Sequence, residues 1–132
     1  MKEKDLIEEM YNKAVSLLKK NADYLEKSER SMVAAVLAGK SGTLYTGLNV
    51  AWFHSICAEP VALSNALQNG EREFTHLISV KLRKSTGELI VVSSCGICRE
   101  MFNQLGHKEL KVILQTPKGK FFTETISELL PN

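Results

Sequence analysis

Ser93-Ser94-Cys95-Gly96-Ile97-Cys98-Arg99 follows directly on the apolar run Leu89-Ile90-Val91-Val92, and Cys57-Ala58-Glu59 opens a second apolar segment upstream. These two stretches hold all three cysteines of the 132-residue chain. Each stands where the hydrophobic pattern predicts that a helix begins. Backbone N–H groups at a helix start lack intrahelical partners and carry partial positive charge, so a thiol placed there is favoured as the thiolate, the form that binds metal. Cys95 and Cys98, three residues apart, project from one side of a first helical turn, and one ion can reach both. Cys57, at the start of another helix, must approach from the facing side. Three thiolates supply three corners of a tetrahedral zinc site and leave the fourth corner for water, the arrangement of a catalytic centre. Glu59, two residues after a proposed ligand, is the candidate proton carrier.

The rest of the composition narrows the function. Hydrophobic residues at 44% and charged residues at 24% are ordinary for a globular chain, and the length suits one domain over 1–132. A formal charge of +2, with Lys and Arg scattered, gives no basic stripe for nucleic acid and favours a small, weakly charged partner. No apolar run has the length of a membrane span, and the N-terminus lacks the apolar core of a signal peptide, so a cytoplasmic location is expected. An odd cysteine count that includes a CxxC fits a reducing compartment better than a disulfide framework.

Outward from the two stretches, periodicity predicts a long helix from Asp5 to Leu25 on Ile7, Met10, Tyr11, Ala14, Leu17 and Leu18, broken at Ser28 to Ser31. Met32 to Leu37 and Thr43 to Val50 read as a hairpin around Gly39-Lys40-Ser41-Gly42. A helix from Ala58 accepts Pro60 in its first turn and stops at Asn69-Gly70. Strands are expected from Phe74 to Leu82 and from Leu89 to Val92, then a helix from Cys95 to Leu105. Strands at Leu110 to Leu114 and Phe121 to Thr123 follow, and Thr125 with Glu128 has the spacing of a capping box before Pro131.

At these residues the chain resembles the cytidine deaminase family, and more closely its blasticidin-S deaminase branch. The matching pieces are Gly47-Leu48-Asn49-Val50, Ile56-Cys57-Ala58-Glu59, Ser93 with Cys95-Gly96-Ile97-Cys98-Arg99, and Glu128-Leu129-Leu130-Pro131. The resemblance implies a three-layer α/β/α sandwich on a mixed five-stranded sheet. It implies one zinc ion per chain on Cys57, Cys95 and Cys98, with Glu59 as the catalytic acid and base of hydrolytic deamination. It also implies Asn49 on a sugar hydroxyl of a pyrimidine nucleoside or analogue, and a homotetramer with pockets shared between subunits. Three departures stand out. Ala51 occupies the place where many cytidine deaminases carry a ribose-binding Glu, and Ser94 replaces the usual Pro before the CxxC. The sequence ends at Asn132, and the aromatic tail of the blasticidin-type branch is absent from it.

Each residue also has a plainer reading. Cys95 and Cys98 alone would suit a thiol–disulfide oxidoreductase, and a zinc-binding relative without turnover has the same motifs. His54 as a fourth ligand would close the metal site into a structural one. Glu59 can be a helix-start acid, Asn49 a strand-end residue, and Arg99 a local charge balance. Trp52 and Phe53 suit a pocket wall, a subunit interface or the core, while His76 and His107 read as ordinary hydrogen-bonded or solvated histidines.

Overall fold

A computed structural model describes residues 2–25, 31–51 and 55–130. Trp52, Phe53, His54, Pro131 and most of the expected break at Ser28 to Ser31 lie outside the described residues. In chain order the elements are α1 (Glu3–Lys20), α2 (Ala22–Leu25), β1 (Met32–Gly39), β2 (Leu44–Leu48), α3 (Ala58–Gln68) and β3 (Phe74–Leu82). They continue with β4 (Leu89–Val92), α4 (Gly96–Gln104), β5 (Lys111–Gln115), β6 (Phe121–Thr125) and α5 (Ile126–Leu129).

The alternation of side chains along β1 builds two cores. Met32, Ala34, Val36 and Ala38 face one side and pack with Ile7, Met10, Ala14 and Leu18 of α1. Ala35 and Leu37 face the other and pack with Ala58, Ala62, Leu63 and Ala66 of α3, Phe102 of α4 and Ile126 of α5. A strand buried on both faces reads as one continuous apolar run, as β1 does. The result is an α/β/α sandwich. Among the described residues no helix is long and apolar enough to cross a membrane.

The sheet is mixed. β1 pairs antiparallel with β2 and β3, β3 runs parallel to β5, and β5 pairs antiparallel with β6. Among the described residues it has six strands, which corrects the expected five. The reason is the length of β3, whose edge opposite β1 is shared by two short partners. β5 takes His76 and Leu77, and β4 takes Ser79 to Leu82. β4 thereby ends beside the middle of β3 and delivers the chain to Cys95.

The N-terminal helix is shorter than its periodicity predicts. Asn21 closes α1, its side-chain amide donating to Leu17 O at 2.8 Å, and α2 begins as a separate turn. An Asn that bonds back to the preceding turn competes with helix continuation. At its other end α1 is fastened by Glu3, whose Oε2 accepts from His76 Nε2 at 2.8 Å and Lys111 Nζ at 3.2 Å. These two bonds hold the Glu3 carboxyl below the usual carboxylate range. His107 packs edge-on to Phe74 and Phe102, and burial pushes its pKa down.

Gly47 sets how closely α3 lies on the sheet. A Cβ built there would stand 2.4 Å from Ala62 N and 2.5 Å from Ala58 O, contacts with backbone that has no room to yield. Ala58, Ala62 and Ala66 recur at four-residue spacing and allow the same close approach from the helix side. Gly47→Ala is expected to lower stability by about 1–3 kcal/mol, the usual range for overpacking. Urea denaturation followed by circular dichroism checks this, and an unchanged midpoint would show that α3 shifts freely.

Candidate metal and catalytic site

Two helix starts meet at the cysteines. Cys57 is the N-cap of α3 and Cys95 the N-cap of α4, both with extended backbone (ψ 155 and ψ 163) before their helices begin. Cys98 lies in the first turn of α4, and its backbone N–H donates to Cys95 Sγ at 3.4 Å. The Sγ atoms of Cys57 and Cys95 are 4.0 Å apart, and all three sulfurs lie within 4.8 Å of one another. Tetrahedral coordination with Zn–S bonds of about 2.3 Å places neighbouring sulfurs about 3.8 Å apart, so the trio could hold a zinc ion with small side-chain adjustments.

The titration of the trio points the same way. Burial pushes Cys98 strongly up, with the Cys95 hydrogen bond and the nearby Glu59 charge adding to it. Burial also raises Cys57, partly offset by a hydrogen bond from Cys98. For Cys95 burial is outweighed by the Cys98 backbone N–H, the Cys98 and Cys57 thiols and the Ile97 N–H, and the net direction is down. Ionising all three thiols beside Glu59 requires a cation, and such a donor set suits a thiophilic divalent metal.

Glu59 sits in the first turn of α3 and is 5% exposed. Its Oε2 accepts from Ser79 Oγ at 3.0 Å, and Ser79 is 1% exposed. A cavity of about 210 Å³ opens beside this pair. Cys57, Glu59 and Cys95 line it, opposite Val33, Asn49 and Ala51, with Ile56, Val92 and Ser93 completing much of the wall. It contains no Lys, Arg or His among its described lining residues, and Glu59 is the one carboxylate.

Asn49 reaches the cavity, but its amide also serves the sheet. Oδ1 accepts from Val33 N at 2.8 Å and Nδ2 donates to Ser31 O at 3.2 Å, which extends the β1 edge past the end of β2. One amide N–H and one lone pair remain. Ala51 presents only a methyl group to the same wall.

Arg99 is engaged with the loop that carries Cys95. Its Nε donates to Ser94 O at 2.8 Å, Nη2 to Ser93 Oγ at 2.8 Å and Nη1 to Leu129 O at 3.2 Å. The guanidinium therefore fastens the β4–α4 turn to α5, itself held by the Thr125–Glu128 capping box. Ser94, where the family resemblance expects Pro, is buried with its Oγ unpaired among the described residues.

Sequence reasoning passed over Ser79 and the apolar walls Val33, Ile56 and Val92. Ser79 did leave a signal, as the lone polar residue in Leu77-Ile78-Ser79-Val80 on a strand buried on both faces.

Comparison with known proteins adds a family to this geometry. Residues 6–114 match the family described as "Cytidine and deoxycytidylate deaminase zinc-binding region". A cytidine deaminase of Sporosarcina psychrophila is 32% identical over 102 residues, covering 75% of this chain and 71% of the relative. A blasticidin-S deaminase of Bacillus cereus is 27% identical over 113 residues, covering 81% and 79%. The crystal structure of the cytidine deaminase from Bacillus anthracis superposes with a TM-score of 0.73 at 22% identity, covering 92% of this chain and 84% of that one, a likeness of fold.

Proposed function

Because the chain belongs to the family of the cytidine and deoxycytidylate deaminase zinc-binding region, we propose that it is a hydrolytic deaminase of a cytosine-type ring in a small nucleoside or nucleoside analogue. The observation that carries this reading is Glu59, a buried carboxylate in the same helical turn as one sulfur of the trio and on the wall of the same cavity. A dithiol redox pair needs neither a third cysteine nor a carboxylate beside it.

Cys57, Cys95 and Cys98 would hold zinc, which would supply the Lewis acidity that makes a water nucleophilic near neutral pH. Three thiolates leave one net negative charge with the ion, and the starts of α3 and α4 offset it with their N–H dipoles. Glu59 takes a proton from the attacking water and returns protons to the ring nitrogen and the departing amine. In the balance, the water's oxygen becomes the carbonyl oxygen, one of its protons ends on the ring nitrogen and the other leaves in ammonia. Asn49 offers its remaining N–H to a sugar hydroxyl. Without a cation in the described cavity wall, a nucleoside fits better than a phosphorylated one. Ala51 gives the sugar a looser grip than a carboxylate would, which keeps blasticidin S and other analogues among the candidate substrates. The homotetramer expected from the family resemblance belongs to the same reading, with molar mass in solution as its check.

An ultraviolet deamination screen tests the reading on protein of measured zinc content, over cytidine, deoxycytidine, free cytosine and blasticidin S. The expected result is turnover of at least one compound with equimolar ammonia, abolished by chelation. Protein holding one zinc per chain that deaminates none of them, or that reduces insulin disulfides instead, would overturn it.

A further inference from the structure

We propose that Ser79 is a positioning residue for the reaction: its hydroxyl fixes the Glu59 carboxylate in the orientation that proton transfer requires. The inference rests on the deaminase reading above. Ser79 lies on β3 opposite Ala35 on one side and Val92 on the other, so its backbone is held by two neighbouring strands. The alternation of β3 sends Leu77 to the α3 face and Ile78 to the α1 face, which puts Ser79 on the α3 side beneath the first turn of that helix. There its Oγ donates to Glu59 Oε2 at 3.0 Å, with both residues buried.

A carboxylate at a helix start turns about two side-chain bonds before its terminal torsion, and a single buried donor on one oxygen removes most of that freedom. With Oε2 committed to Ser79, Oε1 is the oxygen left for the water and the substrate. A proton carrier must keep its oxygen within hydrogen-bond reach of two acceptors in turn, and small misplacements there cost rate and not substrate affinity. A buried hydroxyl between Ile78 and Val80 is costly unless partnered, and Glu59 is the partner that the fold supplies.

The test compares zinc-loaded wild type with Ser79→Ala, Ser79→Thr and Ser79→Val, on whichever compound the wild type turns over best. Thr and Val have the same shape and differ by the hydroxyl, so the pair separates hydrogen bonding from packing. Ser79→Ala and Ser79→Val are expected to lose about tenfold or more in kcat at little-changed KM and unchanged zinc content, while Ser79→Thr recovers most of the rate. Thermal unfolding of Ser79→Ala, Glu59→Ala and the double variant, each single change removing the bond, gives a readout independent of turnover, and a coupling between the two sites is expected. Wild-type kcat in both Ser79→Ala and Ser79→Val, equal losses in Ser79→Thr and Ser79→Val, or additive stability effects would overturn the positioning role alone. A wild type that holds zinc but is inert on every compound overturns the deaminase reading, and the role of Ser79 falls with it.

Discussion

Glu59→Gln is expected to fold, to hold zinc, and to lose about 10²–10⁴-fold in kcat, the range that a general acid–base group contributes. Gln matches Glu in shape and retains a carbonyl oxygen, which can still accept from Ser79 Oγ, so the packing under α3 is preserved. What the amide cannot do is take a proton from water and hand it on. The cost to stability is small: replacing an acid in the first turn of a helix forfeits about 0.3–1 kcal/mol of dipole interaction, and loss of the negative charge eases its repulsion of the Cys98 and Cys57 thiolates. Steady-state kinetics with zinc analysis on the same preparation reads both halves. Retained turnover would remove Glu59 from the chemistry.

The second large effect belongs to Cys98. Unlike Cys57 and Cys95 it is buried, at 2% exposure, and it anchors the trio from inside the first turn of α4. Cys98→Ala removes a sulfur ligand with modest loss of packing volume, so the sheet and both cores are expected to persist. Zinc affinity is expected to fall by more than about 100-fold, since loss of an outer partner of a ligand already costs about 10- to 100-fold. Turnover should fall with it. The remaining sulfurs, 4.0 Å apart, would form a two-thiolate site too weak to compete with a chelator. Competition with a chromophoric chelator measures this, and stoichiometric zinc retained at wild-type affinity would exclude Cys98 as a ligand.

The order of elements was readable because the apolar pattern changes period at the right places. β1 is a solid apolar run because both its faces are buried, and α1 shows helical spacing because only one of its faces is. Gly70, with φ +84, lies just past the end of α3, where Asn69-Gly70 predicts a stop. The cysteines could be paired with one another because thiols at two helix starts have a shared chemistry that apolar residues lack. What stayed hidden depends on the third dimension. That β3 carries two partners on one edge is a matter of register, which local periodicity does not encode. The interruption at Asn21 is a single side-chain bond inside an otherwise continuous helical pattern. Asn49 was visible as a candidate sugar contact or a strand-end residue, and its amide bonds to Val33 and Ser31 show how one side chain can close the sheet and still reach the cavity. Gly47 looks like part of a motif until the backbone of α3 is found against it. Ser79 and Glu59, twenty positions apart on different elements, meet only in the folded chain.

Zinc K-edge X-ray absorption on the zinc-loaded protein tests the central arrangement most directly, because it counts the donor atoms around the ion. Three sulfurs at about 2.3 Å with one light oxygen scatterer at about 2.0 Å are expected, the signature of a trio of thiolates with a coordination place left for water. Four protein donors, whether as a fourth sulfur or as an imidazole ring with its outer-shell scattering, or fewer than three sulfurs, would contradict it.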